Sequence, residues 1–205
     1  MLIFKEIKTN FPVPLAVGNY WVYKHIFYSY DPQNDSMVED SSYEKASVLR
    51  KINKIKNKQV NGYQIAGGPL PGIYFYEDDY LWLYSQEKKI FIKFFPIKPK
   101  YQDEWEMYRT VEKAEEDLDG DGIIDSTGIL SVAKIIKKEE NLYEVLIWEY
   151  QNWEWHSQTK EWFDYTFPAW GGFTVEIGKG IIKYEEPVRR GIGDEWIIRK
   201  YKIKD

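Results

Sequence analysis

The 205-residue chain contains no cysteine. Disulfides, Cys-based zinc sites and thiol catalysis are thereby excluded, which leaves oxygen ligands and aromatic rings to carry any chemistry. Histidine is scarce as well. His25 and His156 are the only two, and each stands among aromatic residues without the HxH or HExxH spacing of a zinc site, so both are expected to be structural. Basic charge is not in excess: 28 Lys and Arg face 33 Asp and Glu, a net charge of -5. A nucleic-acid binder needs the opposite balance, or a basic patch that this sequence does not contain. No uninterrupted apolar run of about 18 residues occurs, so no transmembrane helix is predicted. Residues 1–10 alternate charged with apolar side chains instead of forming a signal core. Neither a GxSxG elbow nor a phosphate loop is present, since Gly178-Lys179 is followed by Gly180 rather than Ser or Thr.

What the chain has in quantity is aromatic and β-branched side chains. With 43% hydrophobic and 18% aromatic residues it can bury a large core, and one domain over residues 1–205 is predicted. Residues 19–30 are dense in strand formers and run into the turn-rich 31–35, which predicts a strand. Residues 43–66 fit either a helical stripe through Val48, Ile52, Ile55 and Gln59 or two strands turning at Asn61-Gly62, and the hairpin is the better fit. Short aromatic runs at 73–76, 80–84 and 89–95 read as a meander. The same pattern recurs at 105–111, 131–138, 142–150, 161–167, 173–177, 180–185 and 195–203. About ten or eleven strands without helical segments between them predict an all-β fold, an antiparallel sandwich or a curled, barrel-like sheet. A monomer is expected. The acidic, apolar-poor stretch 112–128 reads as a loop inserted between strands.

That loop holds the most specific motif. Asp117-Leu118-Asp119-Gly120-Asp121-Gly122-Ile123-Ile124-Asp125 is DxDxDGxxD, the opening of an EF-hand-type calcium loop. Carboxylates at alternating positions turn inward around one cation, and Gly122 permits the tight turn. The Ile123 carbonyl offers a further oxygen, and Asp125 coordinates directly or through water. Hard oxygen ligands select Ca²⁺. Gly128 stands where a bidentate Glu would close the loop, and the flanks read as strands, so a helix-loop-helix EF-hand is not expected. The expectation is a weak, structural calcium site rather than a sensor. The competing reading is an acidic turn, because Asp and Gly are common turn residues. The loop resembles the isolated calcium loops of extracellular bacterial proteins, including dockerin-like and thrombospondin-type repeats.

Aromatic residues also crowd into the segment that holds Trp148, Tyr150, Trp153, Trp155, Trp162, Phe163, Tyr165, Phe167 and Trp170. On alternating strand positions Trp153 and Trp155 share a face, and an exposed row with Trp162 would stack on sugars or other apolar ligands. The competing reading is core and cross-strand pairing. Asp78, Asp79, Glu154, Glu161 and Asp164 are available for the acid/base pair of a glycosidase, a role decided by their separation. No catalytic residue is assigned.

Two further stretches carry a family resemblance: Phe11-Pro12-Val13-Pro14-Leu15-Ala16-Val17-Gly18-Asn19-Tyr20-Trp21-Val22-Tyr23 and Gly178-Lys179-Gly180-Ile181-Ile182-Lys183-Tyr184. They resemble the opening and a late strand of a loose group of bacterial cell-envelope and secreted β-proteins, lipoprotein-like domains without a known reaction. The resemblance implies a curled antiparallel sheet outside the cytoplasm and no catalytic residues. With the calcium loop, it yields the expectation of a noncatalytic extracellular, periplasmic or cell-envelope domain that binds or scaffolds. Its expected partner is a polysaccharide or an envelope component. The alternatives are a carbohydrate-binding module using Trp153, Trp155 and Trp162, and a carboxylate-dependent glycoside hydrolase.

Overall fold

The computed structural model describes residues 11–31, 33–114, 117, 120–156, 159–164, 168–188 and 193–204. Among them there is no helix, and thirteen strands form one antiparallel sheet. The first six are β1 (Tyr20–Asp31), β2 (Ser36–Ile55), β3 (Lys58–Ala66), β4 (Gly72–Glu77), β5 (Tyr80–Ser85) and β6 (Ile90–Pro96). The rest are β7 (Glu104–Lys113), β8 (Ser126–Glu139), β9 (Leu142–His156), β10 (Glu161–Asp164), β11 (Ala169–Glu176), β12 (Gly180–Val188) and β13 (Glu195–Lys202).

The β4–β5–β6 meander forms where the aromatic runs predict it. Its first turn is the pair Asp78 and Asp79, both at positive φ (48° and 62°), the backbone that a two-residue hairpin turn needs. The hairpin over 43–66 forms too, but it turns at 56–57, with Lys56 at φ 51°, and not at Asn61-Gly62. Gly62 lies inside β3. A Cβ there would meet the Tyr74 carbonyl oxygen at 3.0 Å, so glycine admits the close approach of β4 rather than making a turn. Residues 112–128 are also not all loop: Lys113 pairs with Ser126 and Val111 with Gly128, so the acidic segment is the tip of the β7–β8 hairpin. Of the strand expected at 161–167, Glu161–Asp164 is formed, and 165–167 lie outside the described residues.

The sheet is curled and not closed. Its order is β6-β5-β4-β3-β2-β1-β13-β12-β11-β9-β8-β7, with β10 paired to β9, so β6 and β7 are its two edges. Among the described residues no backbone ladder joins those edges. Side chains do. The Trp105 indole N–H on β7 donates to the Lys93 carbonyl on β6 at 2.8 Å, and the Trp105 ring stands edge-on to Phe95 with centroids 6.3 Å apart. Within the curl Phe94 stacks on Phe173 at 4.6 Å, and Leu81, Phe95, Ala133, Ile135 and Val175 are fully buried around them. Each large apolar side chain so buried stabilises the fold by about 1.5–3 kcal/mol, which is why inward alternation specifies the register.

Antiparallel pairing distributes the connections between two ends. One end carries the β2–β3, β4–β5, β6–β7, β8–β9 and β11–β12 connections, and residues 11–19 seal it. There the Tyr76 hydroxyl accepts from the Val13 N–H (3.1 Å) and donates to the Val13 carbonyl (2.7 Å). The buried Asn19 amide donates to the Pro14 carbonyl, while its oxygen accepts the Lys204 N–H. The Gly178 N–H donates to the Phe11 carbonyl and the Trp21 indole to the Lys179 carbonyl, so the two stretches that carry the family resemblance meet at this closed end. The opposite end carries the β1–β2, β3–β4, β5–β6, β7–β8, β9–β10 and β12–β13 connections.

Candidate functional site

The acidic segment sits at that second, open end. The Asp117 carboxylate organises it: Oδ1 accepts the Gly120 N–H (2.7 Å) and the Asp121 N–H (3.2 Å), and Oδ2 accepts the Gly122 N–H (2.7 Å). Asp121 Oδ1 accepts the Ile123 N–H at 2.8 Å. Gly120 and Gly122 take φ values of 79° and 87°, which glycine adopts without strain. The base is closed by the Ala114 N–H, which donates to the Asp125 carbonyl at 3.0 Å, and the Asp125 side chain is 2% exposed. Asp117 and Asp121 thus share one tight turn, with Asp125 at its buried base and Ile123 exposed. Asp119 lies outside the described residues. Among those described, no three acidic or imidazole side chains converge as a metal-ligand group.

The absence of Glu at position 128 has a structural cause. A Cβ on Gly128 would lie 2.0 Å from the Thr110 carbonyl oxygen of β7. The ladder, not the loop, therefore demands glycine there.

The aromatic segment reaches the same end. Beyond Glu149, β9 leaves β11 and pairs with β10: Trp155 lies opposite Trp162, and Trp153 opposite Asp164. On its other side Trp155 pairs with Ser126 and Trp153 with Gly128, beside the base of the acidic loop. The Trp155 side chain is half-buried, and those of Trp153 and Trp162 lie outside the described ones. Trp148 and Trp170, paired across β9 and β11, pack edge to face at 5.5 Å, with Trp170 exposed. The carboxylates singled out in sequence are divided between the ends: Asp78 and Asp79 turn at the closed end, Glu154, Glu161 and Asp164 belong to the β9–β10 arm, and the Asp164 side chain lies outside the described ones. His25 has a structural setting, with Nδ1 2.6 Å from Glu44 Oε1, Nε2 2.9 Å from Asp194 Oδ2, and its ring stacked on Trp196 at 4.1 Å.

The open end also contains a feature the sequence reading missed. A cavity of about 580 Å³ enters the curl between the β3–β4 connection, the β5–β6 turn and the end of β12. Leu70, Leu83, Ile92, Phe94, Met107 and Ile147 form its apolar wall. Tyr108, Ser131, Glu149, Tyr184 and Glu186 add polar groups, and Glu87 and Lys88 stand at the rim. The Tyr108 hydroxyl donates to Glu149. Burial, then this carboxylate, pushes the Tyr108 phenol well above its ordinary value, and burial, then Glu186 and Glu149, does the same to Tyr184. The buried Ser131 hydroxyl lies 3.8 Å from Met107 Sδ. One local signal was available: the inward series Tyr143, Val145, Ile147 on β9 continues to a carboxylate at Glu149, an unusual residue to face a core. The apolar wall had none, because its residues come one or two at a time from four strands and a loop.

No family model, no curated protein and no solved structure matches this chain, so the site is read from its own residues and geometry.

Proposed function

We propose that this chain is a noncatalytic binding domain acting in the extracellular space, periplasm or cell envelope, with its open end as the working end and a structural Ca²⁺ in the acidic loop. The observation that carries the reading is the convergence at one end of the cavity mouth, the acidic hairpin tip and the β9–β10 arm, while the other end is sealed by residues 11–19. Apolar cavities with a few polar groups at the mouth of a β-barrel are common ligand sites. Side chains of Asp117, Asp119, Asp121 and Asp125 and the Ile123 carbonyl are the proposed calcium ligands, with water in place of the absent Glu. Four carboxylates drawn together repel until a cation joins them, so calcium stabilises the folded state. The β9–β10 pairing of Trp155 with Trp162 favours a second reading, weak glycan stacking on that arm.

Calorimetric titration with millimolar calcium tests the first reading. A dissociation constant of about 10⁻⁴–10⁻³ M is expected. Calcium at ten times that constant adds about 1.4 kcal/mol, or about 3–6 °C in Tm for a chain of this size. Asp119→Ala should abolish both heat and shift. If wild-type protein gives neither, the motif is an acidic turn and the calcium reading fails.

A further inference from the structure

The cavity at the open end has a charge as well as a shape. Glu149 stands inside it, Glu186 and Glu87 stand toward the rim, and Lys88 is the one cationic side chain among its described lining residues. The Lys88 ammonium lies 5.8 Å from the Tyr108 ring centroid, so an aromatic face at the mouth already meets a cation. Tyr108 in turn donates to Glu149, which couples that ring to the carboxylate. Carboxylates interleaved with phenol rings recognise ammonium groups, through charge-assisted hydrogen bonds and cation–π attraction together. An anionic amphiphile would instead bring a second carboxylate against Glu149 and Glu186. A wholly apolar ligand would bring no polar group to the Glu149 carboxylate. The volume of about 580 Å³ falls within the range of small-molecule pockets.

We propose that the open-end cavity takes an amphiphilic cation, an alkylamine-like molecule whose apolar body lies along Leu83, Ile92, Phe94 and Ile147 and whose ammonium group meets Glu149. This rests on the reading of the open end as the binding end. The ammonium sits at the junction of Glu149 with the Tyr108 and Tyr184 rings, and the chain extends over the apolar wall.

The test is calorimetry at low ionic strength with decylamine, decanol and decanoate, which share a chain and differ in head group. Decylamine should bind at least about tenfold more tightly than decanol, with decanoate weakest. Glu149→Gln keeps an acceptor for the Tyr108 hydroxyl. It should remove the advantage of decylamine over decanol. Lys88→Gln, in an exposed turn away from the core, should tighten decylamine binding and supplies the decisive variant if Glu149→Gln does not fold. Decanol or decanoate binding as tightly as decylamine overturns the cationic ligand while leaving a binding cavity. So does a Lys88→Gln protein with no gain for the amine. Binding of none of the three overturns the cavity as a ligand site altogether.

Discussion

Trp105→Ala should destabilise the protein by about 3–5 kcal/mol, a large part of the 5–15 kcal/mol typical of a domain. The reason is topological. Most neighbouring strands in this sheet are held by a ladder of backbone hydrogen bonds, whereas the β6 and β7 edges are joined through side chains, with Trp105 at the centre. Truncation removes a ring that is 6% exposed, loses its edge-on packing with Phe95 and leaves the Lys93 carbonyl without its indole donor. Trp105→Phe separates the contributions: it retains a ring and loses the N–H, and should cost about 1–2 kcal/mol. Tyr101→Ala, at an exposed residue of the connection before β7, should change stability by about 0.5 kcal/mol or less. Urea denaturation of the three variants measures these differences. A loss below about 1 kcal/mol for Trp105→Ala would mean that the seam is not held at this side chain.

Raising the pH should unfold the protein steeply just above the ordinary phenol value. Burial holds the phenols of Tyr23, Tyr74, Tyr76, Tyr108 and Tyr184 far above it, with Glu149 adding to the effect at Tyr108. The folded state keeps these protons while the unfolded chain releases them near pH 10. Their contribution to stability is therefore complete below about pH 10 and falls as pH rises, by about 1.4 kcal/mol per unit for each phenol. Five such groups amount to about 7 kcal/mol by pH 11, enough to consume an ordinary folding free energy. Phenolate absorbance should show these five of the 17 tyrosines ionising together with the loss of near-ultraviolet circular dichroism. Ionisation of all the tyrosines near pH 10 with the fold intact would contradict the burial assigned to them.

The strands were legible where local chemistry and register agree. Tyr80 to Tyr84 alternates around Leu81 and Leu83, and the acidic pair Asp78 and Asp79 supplies the turn before it, so β4 and β5 could be read directly. Gly62 misled because a glycine after asparagine marks a turn as readily as a close strand approach, and only the position of Tyr74 on β4 decides between them. The first part of β8 contains Gly128, a poor strand former, and is held by partners on both sides. DxDxDGxxD was visible as spacing. That its first carboxylate binds three backbone amides, and that Gly128 is required by β7, are tertiary facts. The cavity was hidden for a different reason. Alternation tells which residues point inward, but whether inward side chains meet or leave a gap depends on the curl of the sheet, which brings Leu83, Met107 and Ile147 to one wall.

Binding at one end of an unclosed sheet is the central proposal, and a backbone-amide NMR titration tests that placement directly. Calcium should shift amides of residues 114–128 and their ladder partners around Lys113 and Trp155, and a subsequent addition of decylamine should shift those around Leu83, Met107, Ile147 and Glu149. Amides of residues 11–19 and 176–180, at the sealed end, should stay in place through both additions. Shifts centred on the sealed end, or none at either end, would contradict the account.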